Sequence, residues 1–241
     1  MALPRRIRNR LLTALTPTEV TELSDELQPA NLAKRQILYE VGEAFDFIYF
    51  IEEGFVSVPT TMENGTGSEV GMIGAEGLIG ASALLGGRVS AQQVIMQLPG
   101  TALRISAAAC KFDQNHGVRA VVLRFIEDLL NLSSQTAGCN RLHSVEQRSA
   151  RWLLMASDRL GADVLPLTQE AIAAMLGVRR SGVSEAAREL QRSGLIRYRR
   201  GEITIIDRGG LEKTTCECYR LDRQRRDFAH GGARVPDEAR R

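Results

Sequence analysis

The chain has 241 residues, of which 44% are apolar and 25% charged, with a formal net charge of +2 at pH 7. This is the composition of an ordinary globular protein, and it excludes a disordered or low-complexity chain. No run approaches the roughly 20 apolar residues that a membrane span needs, and the four cysteines are too sparse for a disulfide framework. We therefore expect a cytoplasmic protein without a membrane partner.

The charge is unevenly divided along the chain. Residues 31–116 carry five Lys/Arg and nine Asp/Glu, a balance of −4, whereas residues 168–213 carry nine and six, a balance of +3. Only the second half is therefore suited to a polyanion such as DNA.

The first half of the chain predicts a short helix followed by a β domain. Thr16-Pro17-Thr18-Glu19 is a capping box with proline at the first helical position. From Ile37 to Ile105, short apolar runs alternate with turn signals such as Pro99-Gly100. Regular short strands of this kind are typical of a β-sandwich or barrel.

A long helix is predicted from Gly117. Its apolar residues are spaced alternately by four and three, a seam that suits pairing with another helix. The seam comprises Val118, Val122, Phe125, Leu129, Leu132, Thr136 and Cys139. A second apolar strip contains Val121, Ile126 and Leu130. We expect this helix to pack both on its own β domain and, through the seam, on a second copy; the alternative is a helix buried within one subunit.

The segment from Leu167 to Ile196 predicts a helix-turn-helix. Thr168 can cap a first helix that ends at Gly177, and a second helix opens near Arg179. The following residues alternate between polar and apolar types around Gly201, which predicts a β-hairpin carrying Arg199 and Arg200. The pattern favours a winged helix-turn-helix over an ordinary helical hairpin.

In this order the parts resemble the Crp/Fnr family of bacterial transcriptional regulators. The resemblance runs from about Leu12 to Leu211 and is carried by YEVGEAFDFIYFIEEGFVSV, ENGTGSEVGMIGAEGLIG and TQEAIAAMLGVRRSGVSEAARELQRSGLI. It implies an α+β fold with an N-terminal jelly roll of the cyclic-nucleotide-binding type, a long dimerisation helix and a C-terminal winged helix-turn-helix. It also implies a homodimer, a palindromic operator in double-stranded DNA, and contact with RNA polymerase.

The resemblance divides the chain into four parts. We predict a sensory β-roll with its N-terminal helix over residues 1–116, the dimerisation helix and hinge over 117–143, and the DNA-binding domain over 144–219. The tail, 220–241, and the basic arm that contains Arg5, Arg6, Arg8 and Arg10 are predicted to be surface or disordered segments.

The second helix of the helix-turn-helix supplies most of the predicted DNA contacts, because its exposed N-terminal turn enters the major groove. Arg180 matches the family position whose arginine contacts guanine. Two departures are Ser181, where the family commonly has Glu, and Glu185, where it has a base-reading Arg. The full set is Gln169, Arg179, Arg180, Ser181, Ser184, Glu185, Arg199 and Arg200.

The stretch ASALLGGRVSAQQ matches the nucleotide-binding segment of cyclic-AMP-binding members of the family. There a Glu binds the ribose and an Arg-Ser pair holds the cyclic phosphate; the matching positions are Ala81 and Val89-Ser90. Arg88 is displaced by one residue, which on a strand directs it to the other face. The candidate pocket comprises Gly80, Ala81, Ser82, Arg88, Val89 and Ser90. We expect no tight binding of cyclic AMP and no cofactor.

Two alternatives use other chemistry. Cys139 and His143 share a helix face and Cys216-Glu217-Cys218 adds two thiols, so these residues could form a metal- or thiol-based redox sensor. Iron–sulfur members of the family have clustered N-terminal cysteines, and this chain has none before Cys110. A cupin-like metalloenzyme would need histidines in the barrel, but the three histidines lie elsewhere, so we expect no catalytic residues.

Overall fold

The computed structural model describes residues 7–63, 67–110 and 115–228. The chain begins with two short helices, α1 (Arg10–Thr13) and α2 (Pro17–Ser24). The predicted capping box starts α2, since Thr16 Oγ1 accepts a hydrogen bond from the Glu19 N–H and the Glu19 carboxylate accepts one from the Thr16 N–H.

The arm before α1 is attached to the β domain where the structure describes it. The Asn9 side chain is fully buried, caps α1, and donates to the carbonyls of Ile51 and Gly77, each at 2.8 Å. The Arg10 N–H donates to the Ala75 carbonyl at 2.7 Å. The prediction of disorder is therefore wrong from Arg8 onwards, because these hydrogen bonds fix the backbone, although the side chains of Arg8 and Arg10 lie at the surface. Arg5 and Arg6 lie outside the described residues.

Eight strands form two four-stranded antiparallel sheets. The first has the order β1 (Gln28–Leu32), β8 (Gly100–Ser106), β3 (Phe47–Ile51), β6 (Leu78–Ile79), and the second has the order β2 (Ile37–Tyr39), β7 (Val94–Leu98), β4 (Phe55–Thr61), β5 (Gly67–Ile73). A short helix, α3 (Ala81–Leu84), follows β6. Residues along β7 alternate between buried and half-buried, as a strand with one core face requires. The two sheets form the predicted jelly roll.

The central long helix is α4 (His116–Leu142). Val118, Val122 and Phe125 are at most 6% exposed and belong to the core of the β domain. The Phe125 ring packs so closely on Gly77 that a Cβ there would lie 2.4 Å from it. The expectation that this seam forms the dimer contact is therefore wrong for these three residues. They are buried because the apolar core of the β domain packs against this part of the seam.

The rest of the seam lies on the same inward face of α4. Leu129 and Leu132 are half-buried, and Leu129 also packs against the β-domain core. Leu123 and Leu130 point outward, with 42% and 65% of their surfaces exposed. Val121 and Ile126 of the second strip also pack against the β-domain core, so the apolar surface that α4 leaves uncovered here is Leu123 and Leu130.

The C-terminal domain, which we call the head, follows α4. Its elements are α5 (Val145–Leu160), β9 (Val164–Leu165), α6 (Gln169–Leu176), α7 (Arg180–Arg192), β10 (Ile196–Arg199), β11 (Glu202–Ile205), α8 (Arg208–Thr214) and α9 (Cys218–Phe228). The predicted capping box of Ser144 and Gln147 starts α5. The hairpin β10–β11 is joined by β9 into a three-stranded sheet. A winged helix-turn-helix is confirmed.

The tail is ordered through Phe228, contrary to the prediction of disorder from Arg220. The Arg226 side chain is 14% exposed and forms ion pairs with Asp158 at 2.8 Å and with Asp222 at 3.0 Å. These carboxylates offset the positive charge of α9, whose basic composition had favoured the prediction of disorder. Residues 229–241 lie outside the described residues.

The head packs on the β domain of the same chain. Phe55, Met72 and Leu98 of the β domain belong to the head's own hydrophobic core. The Phe55 and Trp152 rings meet edge to face with their centroids 6.1 Å apart. The two domains therefore share one continuous apolar contact.

Candidate DNA-binding surface, effector cavity and thiol cluster

The helix-turn-helix is formed by α6 and α7. Thr168 Oγ1 accepts a hydrogen bond from the Ala171 N–H at 3.1 Å and so caps α6. Gly177 ends that helix with φ of 63°, a left-handed conformation that favours glycine. Val183 is 1% exposed and anchors α7 against the head's core. This packing fixes which face of α7 points to solvent.

The predicted DNA-contacting residues lie on that outward face or beside it. Arg179, Arg180, Ser181 and Glu185 are exposed at the N-terminal end of α7. Ser184 is half-buried, and its hydroxyl donates to the Gln169 Oε1 at 2.8 Å. Gln169 is thereby held at the start of α6, next to the first turns of α7.

The wing carries Arg199 and Arg200, both exposed, at the turn between β10 and β11. Sequence reasoning missed two further exposed cations. Arg188 lies four residues after Ser184 on the outward face of α7, and Arg197 lies on β10. Helical periodicity counted from Ser181 would have identified Arg188.

The candidate effector cavity lies inside the jelly roll and has a volume of about 120 Å³. It is lined by Tyr39, Phe45, Val58, Gly71, Ile73, Leu78, Ile79, Gly80, Ala81, Ser82, Ser90, Ala91, Gln92 and Val94, with Leu129 and Ser133 from α4. None of these residues is charged. Ordinary ligand pockets occupy roughly 300–1,000 Å³, so this cavity is small for a nucleotide.

The six predicted pocket residues divide into two groups. Gly80, Ala81, Ser82 and Ser90 line the cavity. Arg88 and Val89 do not, and both are exposed to solvent. Ser90 is 5% exposed, but its hydroxyl donates to the Gln92 carbonyl at 2.6 Å, so its proton already has an acceptor.

A cluster of sulfur and nitrogen atoms lies where the end of α4 meets the start of α9. The Sγ atoms of Cys139, Cys216 and Cys218 and a ring nitrogen of His143 all lie within 4.8 Å of one another. Cys139 Sγ is 3.6 Å from Cys216 Sγ, and Cys218 Sγ is 3.7 Å from His143 Nδ1. These are the four residues of the metal- or thiol-based alternative that the sequence raised, and the fold brings them together.

The surroundings of this thiol cluster are polar. Gln135 Nε2 donates to Cys218 Sγ at 3.0 Å, and His143 Nε2 lies 3.3 Å from Glu217 Oε2. The hydrogen bond between Cys139 and Cys216 lowers the pKa of the Cys139 thiol and raises that of Cys216. Cys139 is therefore the thiol that loses its proton most readily.

A buried carboxylate, Glu69, lies between the β domain and the head. Its Oε2 accepts a hydrogen bond from the Ser57 hydroxyl at 2.6 Å, and its Oε1 accepts one from Trp152 Nε1 at 3.2 Å. Burial raises the pKa of Glu69 to about 7, although both hydrogen bonds act in the opposite direction. The side chain thus titrates near neutral pH inside the domain contact.

Comparisons with known proteins agree on the two domains. The model of the cyclic nucleotide-binding domain matches residues 29–111, and that of the Crp-like helix-turn-helix domain matches residues 147–214. A CRP-like cAMP-activated global transcriptional regulator of Mycobacterium tuberculosis is 22% identical over 209 residues, which are 83% of this chain and 93% of that protein.

Solved structures show the same fold. FixK2 from Bradyrhizobium japonicum aligns with a TM-score of 0.67 and 16% identity, over 79% of this chain and 98% of that chain. A transcriptional regulator of the CRP/FNR family from Thermus thermophilus aligns with a TM-score of 0.67 and 20% identity, over 78% and 97%.

The fold and both domain matches define a transcription regulator with a β domain of the cyclic nucleotide-binding type and a winged helix-turn-helix. The chain belongs to the Crp/Fnr family, whose members are regulators and not enzymes. Within the described residues, every helix is too short or too polar to cross a membrane.

Proposed function

We propose that the chain is a homodimeric, sequence-specific DNA-binding transcription regulator of the bacterial cytoplasm. The observation that carries the proposal is the set of exposed arginines on α7 and the wing. In the described part of the chain, no carboxylate forms an ion pair with Arg179, Arg180, Arg188, Arg199 or Arg200. These cations are therefore available to phosphates and to base edges.

Base reading is assigned to the N-terminal turn of α7. Arg180 can donate two hydrogen bonds to O6 and N7 of a guanine, a contact that discriminates by about 1–3 kcal/mol. Glu185, one turn further along, can accept from the amino group of cytosine but repels phosphate. We therefore expect an operator that differs from the usual family consensus.

Dimerisation is assigned to the outward strip of α4, which we define as Leu123 and Leu130. Leu123 and Leu130 are 42% and 65% exposed, although both are large apolar side chains. Their spacing of seven residues is that of a coiled-coil seam. A two-fold dimer would present two copies of α7 to half-sites about 34 Å apart, which requires a palindromic operator.

Cyclic AMP is not the effector in this proposal. The M. tuberculosis relative is named as cAMP-activated, but none of the described residues that line the cavity of this chain is charged. The loss of one charge-assisted hydrogen bond costs about 1.5–3 kcal/mol, which is at least roughly tenfold in affinity. Contact with RNA polymerase is implied by the family resemblance alone.

Genome-wide mapping of bound sites in the source cell tests the proposal. We expect a palindromic motif whose half-sites are centred about one helical turn apart. Recovery of sites that share no motif would contradict sequence-specific binding.

The mapped operator then tests the assignment of residues. Arg180→Ala should relax preference at one base pair in each half-site, because it removes a base contact. Arg199→Ala and Arg200→Ala should weaken all sequences alike and flatten the salt dependence, because the wing contacts phosphates. Titrations against randomised operators at two salt concentrations separate these effects. An equal loss for every sequence with Arg180→Ala would remove Arg180 as the base reader.

A second candidate role, metal- or thiol-based sensing, is supported by the four donor atoms that lie within 4.8 Å of one another in the thiol cluster.

A further inference from the structure

We propose that Cys139, His143, Cys216 and Cys218 bind one Zn²⁺ ion per chain in a tetrahedral site that ties the end of α4 to the start of α9. This inference goes beyond DNA binding, and it does not depend on the identity of the operator.

The distances between donor atoms fit a single tetrahedral ion. With Zn–S bonds of about 2.3 Å and Zn–N bonds of about 2.0–2.1 Å, tetrahedral geometry places two sulfurs about 3.8 Å apart and a sulfur and a nitrogen about 3.6 Å apart. The corresponding distances are 3.6 Å for Cys139–Cys216 and 3.7 Å for Cys218–His143. An iron–sulfur cluster would need wider spacing, because several iron and sulfide atoms lie between its thiolates.

The four side chains come from elements that hold them firmly. Cys139 lies in the last turn of α4, and His143 is the residue that caps this helix. Cys218 is the first residue of α9, and Cys216 precedes it by two. The three cysteines are at most 4% exposed and pack as a group of their own, apart from both large hydrophobic cores. Apolar packing therefore does not explain why three thiols meet here.

Neighbouring side chains orient the donors as outer partners do in zinc sites. His143 turns Nε2 toward the Glu217 carboxylate at 3.3 Å and leaves Nδ1 facing Cys218. A carboxylate behind a ligating histidine fixes the ring and increases its basicity. Gln135 donates to the Cys218 sulfur at 3.0 Å, which stabilises a thiolate.

The surrounding charge also suits an anionic metal site. Zinc with three thiolates and a neutral histidine carries a net charge of −1, and three protons leave the thiols when it binds. Arg148 and Arg151 are 7% and 6% exposed and line the same small cavity as Cys139. Neither forms an ion pair within the described residues, and the Nε atom of each lacks a hydrogen-bond partner. A buried cation that no ion pair neutralises is costly, and the metal site supplies a negative charge beside both arginines.

The location gives the ion a mechanical role. Cys139 and Cys216 are 77 residues apart in the chain, and the whole winged helix-turn-helix lies between them. One ion closes this loop and fixes the head relative to α4. Zinc binding therefore favours a single orientation of α7.

Metal analysis of the full-length protein, purified with a reductant and without chelator, tests the site. We expect about one zinc per chain by mass spectrometry. Cys216→Ser and Cys218→Ser should each lose it, whereas Cys110→Ser, a half-buried cysteine outside the thiol cluster, should keep it. After removal of zinc, Co²⁺ should produce the intense visible bands and thiolate-to-metal charge transfer of a tetrahedral thiolate site.

A milder variant keeps the test valid if the cysteine variants do not fold. Glu217→Gln leaves all four donors in place and should weaken zinc binding by about 10–100-fold, measured against a competing chelator.

Three results would overturn the proposal: zinc far below one per chain in protein that rebinds none, a Cys139–Cys216 disulfide in place of metal, or iron and sulfide in protein prepared without oxygen. Unchanged zinc content in both Cys216→Ser and Cys218→Ser would overturn it as well.

Discussion

The β-domain cavity and the thiol cluster both contact α4, but they differ in what their side chains can bind. The cavity is lined by Gly80, Ala81, Ser82 and Ser90, which the family resemblance assigns to the nucleotide site, yet none of the described residues that line it is charged. The thiol cluster lies outside the β domain and has four potential metal donors within 4.8 Å of one another. A fold can thus keep the cavity of a ligand site without the charged side chains that would bind the ligand. Side chains suited to a different ligand can lie elsewhere along the same helix.

The two sites should differ most in how strongly their ligands raise the thermal stability of the protein. Zinc at about 1,000 times its dissociation constant should stabilise the chain by about 4 kcal/mol. For a chain of this size, that raises Tm by about 10 °C relative to the metal-free protein. Cyclic AMP should leave Tm unchanged. Scanning fluorimetry with each ligand measures both effects, and a larger shift with cyclic AMP than with zinc would reverse the comparison.

A second prediction concerns the outward face of α4. It tests whether the protein that contains the two sites is a monomer or a dimer. Leu130→Glu should prevent dimerisation, because it removes one buried leucine from each copy, each contributing about 1.5–3 kcal/mol. Leu142→Glu is the matched control, since Leu142 is also exposed but lies on another face of α4. Light scattering at micromolar concentration should give the dimer mass for the control and the monomer mass for Leu130→Glu. A wild-type monomer would refute the assignment of the strip.

A third prediction concerns Glu69, which lies where the cavity-bearing β domain contacts the head. Its pKa rises from 4.5 to about 7 in the folded chain, so the folded state favours the protonated carboxyl. The resulting stability is fully present below about pH 4.5 and is lost as pH rises through about 7, a change of about 3 kcal/mol. Denaturant titrations at pH 5.5 and pH 8 should show about 2 kcal/mol of this loss, because part of it has already occurred by pH 5.5.

The matched variants for this prediction are Glu69→Gln and Glu26→Gln. Glu69→Gln should reduce the loss of stability with rising pH, because the amide does not ionise. Glu26 is exposed and makes no described contact with the head, so Glu26→Gln should keep the wild-type pH dependence. If Glu69→Gln behaves like Glu26→Gln, another group controls the contact.

Sequence patterns predicted the β domain and the head because their signals are local. Alternation along strands, the Ser144 capping box and the glycine at position 177 each act within a few residues. β1 was not predicted: it contains Pro29 and lacks an apolar run, which its place at the edge of the sheet allows.

The face of α4 that meets the β domain could not be predicted in the same way. Both of its strips are apolar, and members of both pack against the β-domain core; the seam is the more deeply buried of the two, where Phe125 packs on Gly77. Only part of the geometry of the thiol cluster could be predicted. The spacing of Cys139 and His143 put both on one helix face, but their approach to Cys218 depends on α9, which is held in place by the Arg226–Asp158 ion pair.

The smallest expected effect tests why the cavity does not bind cyclic AMP. Ala81 lines the cavity, whereas Val89 is 50% exposed and points away from it. The double variant Ala81→Glu with Val89→Arg restores both charged groups of the family, and an arginine is long enough to fold back over the cavity mouth. Each charge-assisted hydrogen bond should contribute about 1.5–3 kcal/mol, so the affinity should rise at least roughly tenfold.

Calorimetry on wild type and double variant measures the gain, with Val89→Lys as a control that adds charge without the bidentate donor. A wild-type dissociation constant in the micromolar range would show that the anchors are dispensable. No gain in the double variant would show that the volume of about 120 Å³, rather than the missing charge, excludes the nucleotide.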